Sequence, residues 1–136
     1  MGRWRRLLRR RGRREGRRKK LADALAWDLE WGERAGWLLE LAEEDGTAPK
    51  ALLNRPDLPE HLVFARDAFW SLSPDRPLGA LGGCGHIPWS SIERYATRHG
   101  ITDPDAFERF EALIGAQDRV YLKDVAAKTK ATETAR

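Results

Sequence analysis

A single cysteine, Cys84, leaves the chain without any intramolecular disulfide, and a reducing compartment is its natural setting. Histidine is scarce as well: His61, His86 and His99 are the only three. Every one of them would have to converge with Cys84 to make a four-ligand zinc site, and the paired-ligand spacing of such sites is missing. No metal and no cofactor is expected. No apolar run approaches the roughly 18–20 residues of a membrane span, and Leu7-Leu8 is too short for the core of a signal peptide. Residues 1–20 contain no serine, unlike a mitochondrial transit peptide. The expectation is a cytoplasmic protein without membrane contact.

Signatures of catalysis are also missing. Cys84 and His86 are loop neighbours that rarely aim at one another, and no nucleophile motif surrounds them. Gly79, Gly82, Gly83 and Gly85 lack the lysine and the strand of a phosphate-binding loop, and fit tight turns between helices better. Asp103 and Asp105 sit where a helix opens and complement its dipole, while Glu108 and Glu111 belong to a polar helix face. No catalytic residue is assigned, and the chain reads as a non-enzyme.

What is present is a strong charge asymmetry. Residues 1–20 hold twelve Arg or Lys against Glu15 alone, a net of +11, whereas the remainder holds 13 bases and 20 acids, a net of −7. Like charges at that density oppose compaction, so residues 1–20 form an arm that is disordered or loosely helical. Trp4, Leu7 and Leu8 are spaced to form one face of a short helix on an acidic partner or a lipid surface, although Gly12 and Gly16 weaken it. The alternative functional reading starts here. Arg3, Arg5, Arg6, Arg9, Arg10, Arg11, Arg13, Arg14, Arg17 and Arg18 suit a nucleic-acid phosphate backbone, although no nucleic-acid-binding motif accompanies them.

Beyond the arm the periodicity is helical throughout, with no strand-like alternation of useful length. The expected architecture is all-α, a small bundle of about four to five helices. A helical domain spans 21–127, divided into an N-terminal segment 21–54 and a core 55–127, and residues 128–136 form a frayed polar tail. One long helix is predicted from Leu21 to about Glu44, stopped at Gly46. A short helix follows Thr47-Ala48-Pro49, and another runs from about Pro59 to Leu72. Residues 77–88 read as a loop. Ser90 and Glu93 have capping-box spacing for a helix ending at His99, with Gly100 in the left-handed position. Asp103-Pro104 opens the last helix, which is expected to end near Ala127.

Six tryptophans in 136 residues exceed what so small a core can hide. Those not filling the core are candidate interaction anchors, led by Trp27, Trp31, Trp37 and Trp70.

The ordered series Arg55-Pro56-Asp57-Leu58, Ala68-Phe69-Trp70-Ser71-Leu72-Ser73, Asp75-Arg76 and Gly85-His86-Ile87-Pro88-Trp89-Ser90-Ser91-Ile92 resembles small proteins of tailed-phage and prophage tail modules. Tyr95-Ala96, His99-Gly100-Ile101, Phe107, Phe110, Leu113-Ile114, Ala116-Gln117-Asp118 and Tyr121-Leu122 continue it, so that about half the chain is covered. Proteins of this kind are often tail assembly chaperones, and the resemblance is to that family. The resemblance implies a helical, non-enzymatic factor of the bacterial host cytoplasm that coats the tape measure protein, recruits tail-tube subunits and is absent from the mature virion. Production by ribosomal frameshifting is common among such factors. Taken with the tryptophans, it makes Trp27, Trp31, Trp70, Asp75, Arg76, Pro88 and Trp89 the candidate partner-binding residues, with 21–44 and 73–89 on the client-facing side.

Overall fold

The computed structural model describes residues 2–79 and 83–135, and for residues 2–11 the backbone alone. Among them are six α-helices: α1 (Gly2–Trp31), α2 (Ala35–Asp45), α3 (Lys50–Leu53), α4 (Glu60–Leu72), α5 (Trp89–Arg98) and α6 (Pro104–Thr134). Two 3-10 turns, Gly32–Arg34 and Ser73–Asp75, follow α1 and α4. The described chain is all-α, apart from an isolated antiparallel bridge between Leu78 and Cys84.

Several ends form as local chemistry dictates. Gly46 stops α2 at φ 70°, and Gly100 follows α5 at φ 79°, where a side chain is strained. Ile101 then donates its N–H back to Ala96 O at 2.8 Å and packs on the core. Asp103 caps α6 by accepting from Ala106 N–H at 3.0 Å, and Pro104 occupies the first helical position.

Helical backbone runs from Gly2 through residue 20, one of the two forms expected for the arm, because arginine and lysine are good helix formers. Three boundaries differ from expectation. The single helix expected over 21–44 is interrupted at Gly32–Arg34. Gly32 contributes little helix propensity there, and the Arg34 guanidinium donates to Glu30 O at 3.1 Å, satisfying a terminal carbonyl of α1. At α5 no capping box forms. Pro88 takes the cap position and the helix starts at Trp89, while the neighbouring Ser91 hydroxyl donates to Asp75 Oδ2 at 2.7 Å. Finally, α6 continues to Thr134, so residues 128–134 are exposed but helical rather than frayed. Alanines favour the helix, the Thr129, Thr132 and Thr134 hydroxyls each donate to the carbonyl four residues earlier, and Lys128 pairs with Asp124 at 2.8 Å. That hydrogen bond holds the Lys128 ammonium above its usual pKa.

The pairings reveal a common direction. Leu21 meets Leu62, Ala65 and Leu113; Leu25 and Leu29 join the cluster of Ala68, Phe69, Ile114 and Val120; Glu33 lies near Lys128. Positions rise together in all three helices, so α1, α4 and α6 run parallel, and the segments between them carry the chain back. The main core is Leu25, Ala68, Phe69, Leu72, Ile87, Ile92, Ala96, Phe110 and Ile114. Burying a side chain the size of Phe69 or Ile114 stabilises by about 1.5–3 kcal/mol.

Candidate partner-binding surface

The segment between α4 and α5 is held by a buried ion pair. Arg76 leaves the Ser73–Asp75 turn and points inward, its Nη1 2.7 Å from Asp118 Oδ1 on α6, with both side chains about 5–6 % exposed. That contact is charge against charge: Oδ1 is off the N–H axis and accepts no aligned hydrogen bond among the described residues. The guanidinium finds alignment elsewhere. It donates to Gly85 O at 3.1 Å and to Ser73 Oγ at 3.3 Å, and lies 4.2 Å from the Tyr121 ring centroid. Asp118 Oδ2 accepts from Ile87 N–H at 3.2 Å and faces His86 Nδ1 at 3.2 Å. Two charges taken from water thus fasten both ends of one loop to one helix, with their remaining bonding capacity largely filled.

The loop is closed on itself as well. Gly85 donates to Pro77 O at 2.8 Å, and Gly79 donates to Gly83 O. A Cβ on Gly85 would come within 2.9 Å of Pro77 Cγ, so the approach of the two strands of the loop requires glycine there. Gly82 lies outside the described residues.

This frame presents aromatic side chains. Trp89, at the start of α5, is 54 % exposed and meets Phe107 edge-on with centroids 5.5 Å apart. Beside it is an open depression of about 320 Å³, whose lining includes Ile92, Ala112, Glu108, Glu111 and Arg119. On α4, Trp70 is 40 % exposed and stands edge-on to Phe69 and Tyr121. Phe64 is exposed beside Tyr95, His99 and Phe110.

The predicted partner residues therefore divide. Asp75, Pro88 and Trp89 converge around the fastened loop, and Trp70 joins them through Tyr121, the ring that Arg76 covers. Arg76 itself is buried and acts inside the fold, so it is not available to a partner. Trp27 is likewise buried: its Nε1–H donates to Ala51 O at 3.0 Å, and Arg55 lies 4.7 Å from its ring centroid, so it secures α3 to α1. Trp31 is half-buried under Arg34, at the end of α1. In the sequence Asp118 stands only as part of the motif Ala116-Gln117-Asp118, with no functional role assigned to it. A lone acid at a buried helical position, three residues after a glycine, was the available signal.

The arginines of the arm also divide. Arg14, Arg17 and Arg18 line a small depression of about 120 Å³ together with Asp105, Glu108 and Arg109 of α6, so part of the basic stretch faces acids of its own chain. Arg13 is exposed. The side chains of Arg3, Arg5, Arg6, Arg9, Arg10 and Arg11 lie outside the described residues. Among the described residues no group of three or more His, Cys, Asp or Glu could hold a metal ion, and no helix is long and apolar enough to cross a membrane.

A family model described as phage tail assembly chaperone matches residues 41–123. The match takes in α3, α4, α5, the fastened loop and most of α6. No curated protein and no solved structure matches the chain.

Proposed function

The chain belongs to the phage tail assembly chaperone family, and from that premise we propose that it binds the tape measure protein, the tail tube protein, or both, by protein–protein contacts while the tail is built. It performs no catalysis in this reading, and it leaves before the virion is complete. The observation that carries it is the exposure of Trp70 and Trp89 on either side of a loop whose two ends are fastened by the Arg76–Asp118 pair. Rigid aromatic side chains provide large contact area at little entropic cost, which suits a surface that grips amphipathic helical clients. The client face narrows accordingly to Trp70, Asp75, Pro88 and Trp89, with the depression beside Trp89.

Co-expression of the chain with the tape measure or tail tube protein of the same tail module provides the test. Changing Trp70 and Trp89 together to Ala removes two anchors, and at 1.4 kcal/mol per decade the captured client falls at least about tenfold. Unchanged co-purification with both clients, by a variant of unchanged helicity, overturns the assignment of this face.

A further inference from the structure

The family match leaves α1 untouched and takes in only the end of α2. We propose that the chain associates with itself head to tail, the arginine-rich beginning of α1 in one copy docking on the acidic, aromatic α2 of the next. This does not depend on the identity of the client.

The receiving surface is unusual. Helix α2 carries Glu40, Glu43, Glu44 and Asp45 and no basic residue, and all four acids are exposed. None of them belongs to an ion pair among the described residues. Trp37 is 53 % exposed and Leu39 49 %, and Leu38 is the one buried residue of the helix. Trp37, Glu40 and Glu44 follow one another at three- and four-residue spacing, so a single face offers an indole ring beside two carboxylates.

Arginine fits that pairing better than any other side chain. Its planar guanidinium stacks on indole and meets a carboxylate in the plane of its N–H groups. The fold already uses the stacking half of this chemistry twice, with Arg55 over Trp27 and Arg34 over Trp31. The arm supplies the rest: residues 2–11 hold six arginines and no acid, with Trp4, Leu7 and Leu8 at helical spacing to meet Trp37. Charge complementarity selects the occupant, since the acidic body lacks a basic segment of comparable density.

A copy cannot satisfy itself. The thirty residues of α1 extend about 45 Å at a rise of about 1.5 Å each, and α2 begins beyond its far end. An arm held in that helix reaches only another molecule. The contact joins two different surfaces, so it propagates into chains or rings instead of stopping at a dimer.

Sedimentation of the nuclease-treated full-length protein tests this. At about 50 mM salt the mass rises with concentration, and by about 500 mM it returns to that of the monomer, as screening shortens. One variant has Arg3, Arg5, Arg6, Arg9 and Arg10 changed to Gln; a second has Glu40, Glu43 and Glu44 changed to Gln and Asp45 to Asn. Each is monomeric alone. Mixed in equal amounts they form a one-to-one complex that grows no further, because each keeps one competent surface. Trp37→Ala, a single exposed change, is the independent probe of the α2 side and weakens association about tenfold. Monomeric wild-type protein at low salt overturns the proposal. So do variants that associate like the wild type, a mixture that stays monomeric, or assemblies that appear only when nucleic acid is present.

Discussion

Replacing Asp118 by Ala strands a guanidinium that has 5 % of its side chain exposed. Removing one member of a buried ion pair costs about 3–5 kcal/mol, mostly as the penalty of an uncompensated charge. Ile87 N–H loses its acceptor in the same step, worth about 1–3 kcal/mol if water does not replace it. Three contacts survive around Arg76, to Gly85 O, Ser73 Oγ and the Tyr121 ring, and they offset part of the loss. The expected net change is about 3–4 kcal/mol, a large share of the roughly 5–15 kcal/mol that holds a domain folded. Urea unfolding followed by far-ultraviolet circular dichroism reads it directly. Arg76→Met with Asp118→Leu removes both charges together, and this double variant is less destabilised than either single one by at least about 1 kcal/mol. An Asp118→Ala loss below about 1 kcal/mol, or costs that simply add, would refute the account of the loop as fastened by this pair.

Two smaller perturbations follow from the same packing. Trp27→Phe keeps an aromatic ring but removes the donor to Ala51 O and weakens the contact with Arg55, which lowers stability by about 1–2 kcal/mol in the same assay. Gly100→Ala forces a side chain into φ 79°, where a Cβ meets no neighbouring atom, so the cost is backbone strain alone, about 1–2 kcal/mol. A loss well above that range would mean the strain account is incomplete.

The helical architecture was legible because its signals are local. Apolar spacing gave α4 to within a residue of its start, and Asp103-Pro104 and Gly100 marked their helix boundaries by requirements of one or two residues. Ser90 and Glu93 also carried a local signal, yet Pro88 opened the helix one residue earlier and Ser91 found Asp75. Long-range arrangement left no such mark. Nothing in the spacing of Leu21, Leu62 and Leu113 states that their helices run in one direction. Nor does any pattern in the sequence pair Arg76 with an acid 42 positions later, which is why that arginine read as a contact for partners when it is a contact for α6. Trp27 misled similarly: composition says that some tryptophans must be exposed, and only the packing of α3 decides which.

The parallel pairing of α1 with α6 has a consequence for synthesis on the ribosome. Leu21 and Leu25 bury against residues about ninety positions later, among them Leu113 and Ile114. At about 5–20 residues per second, the first helix waits roughly 5–20 s for α6, with α4 alone to cover part of its apolar stripe. A translation product ending before Pro104 leaves that stripe without its partner helix and Arg76 without Asp118. Synthesis of α6 therefore closes a core that α1 and α4 can only begin.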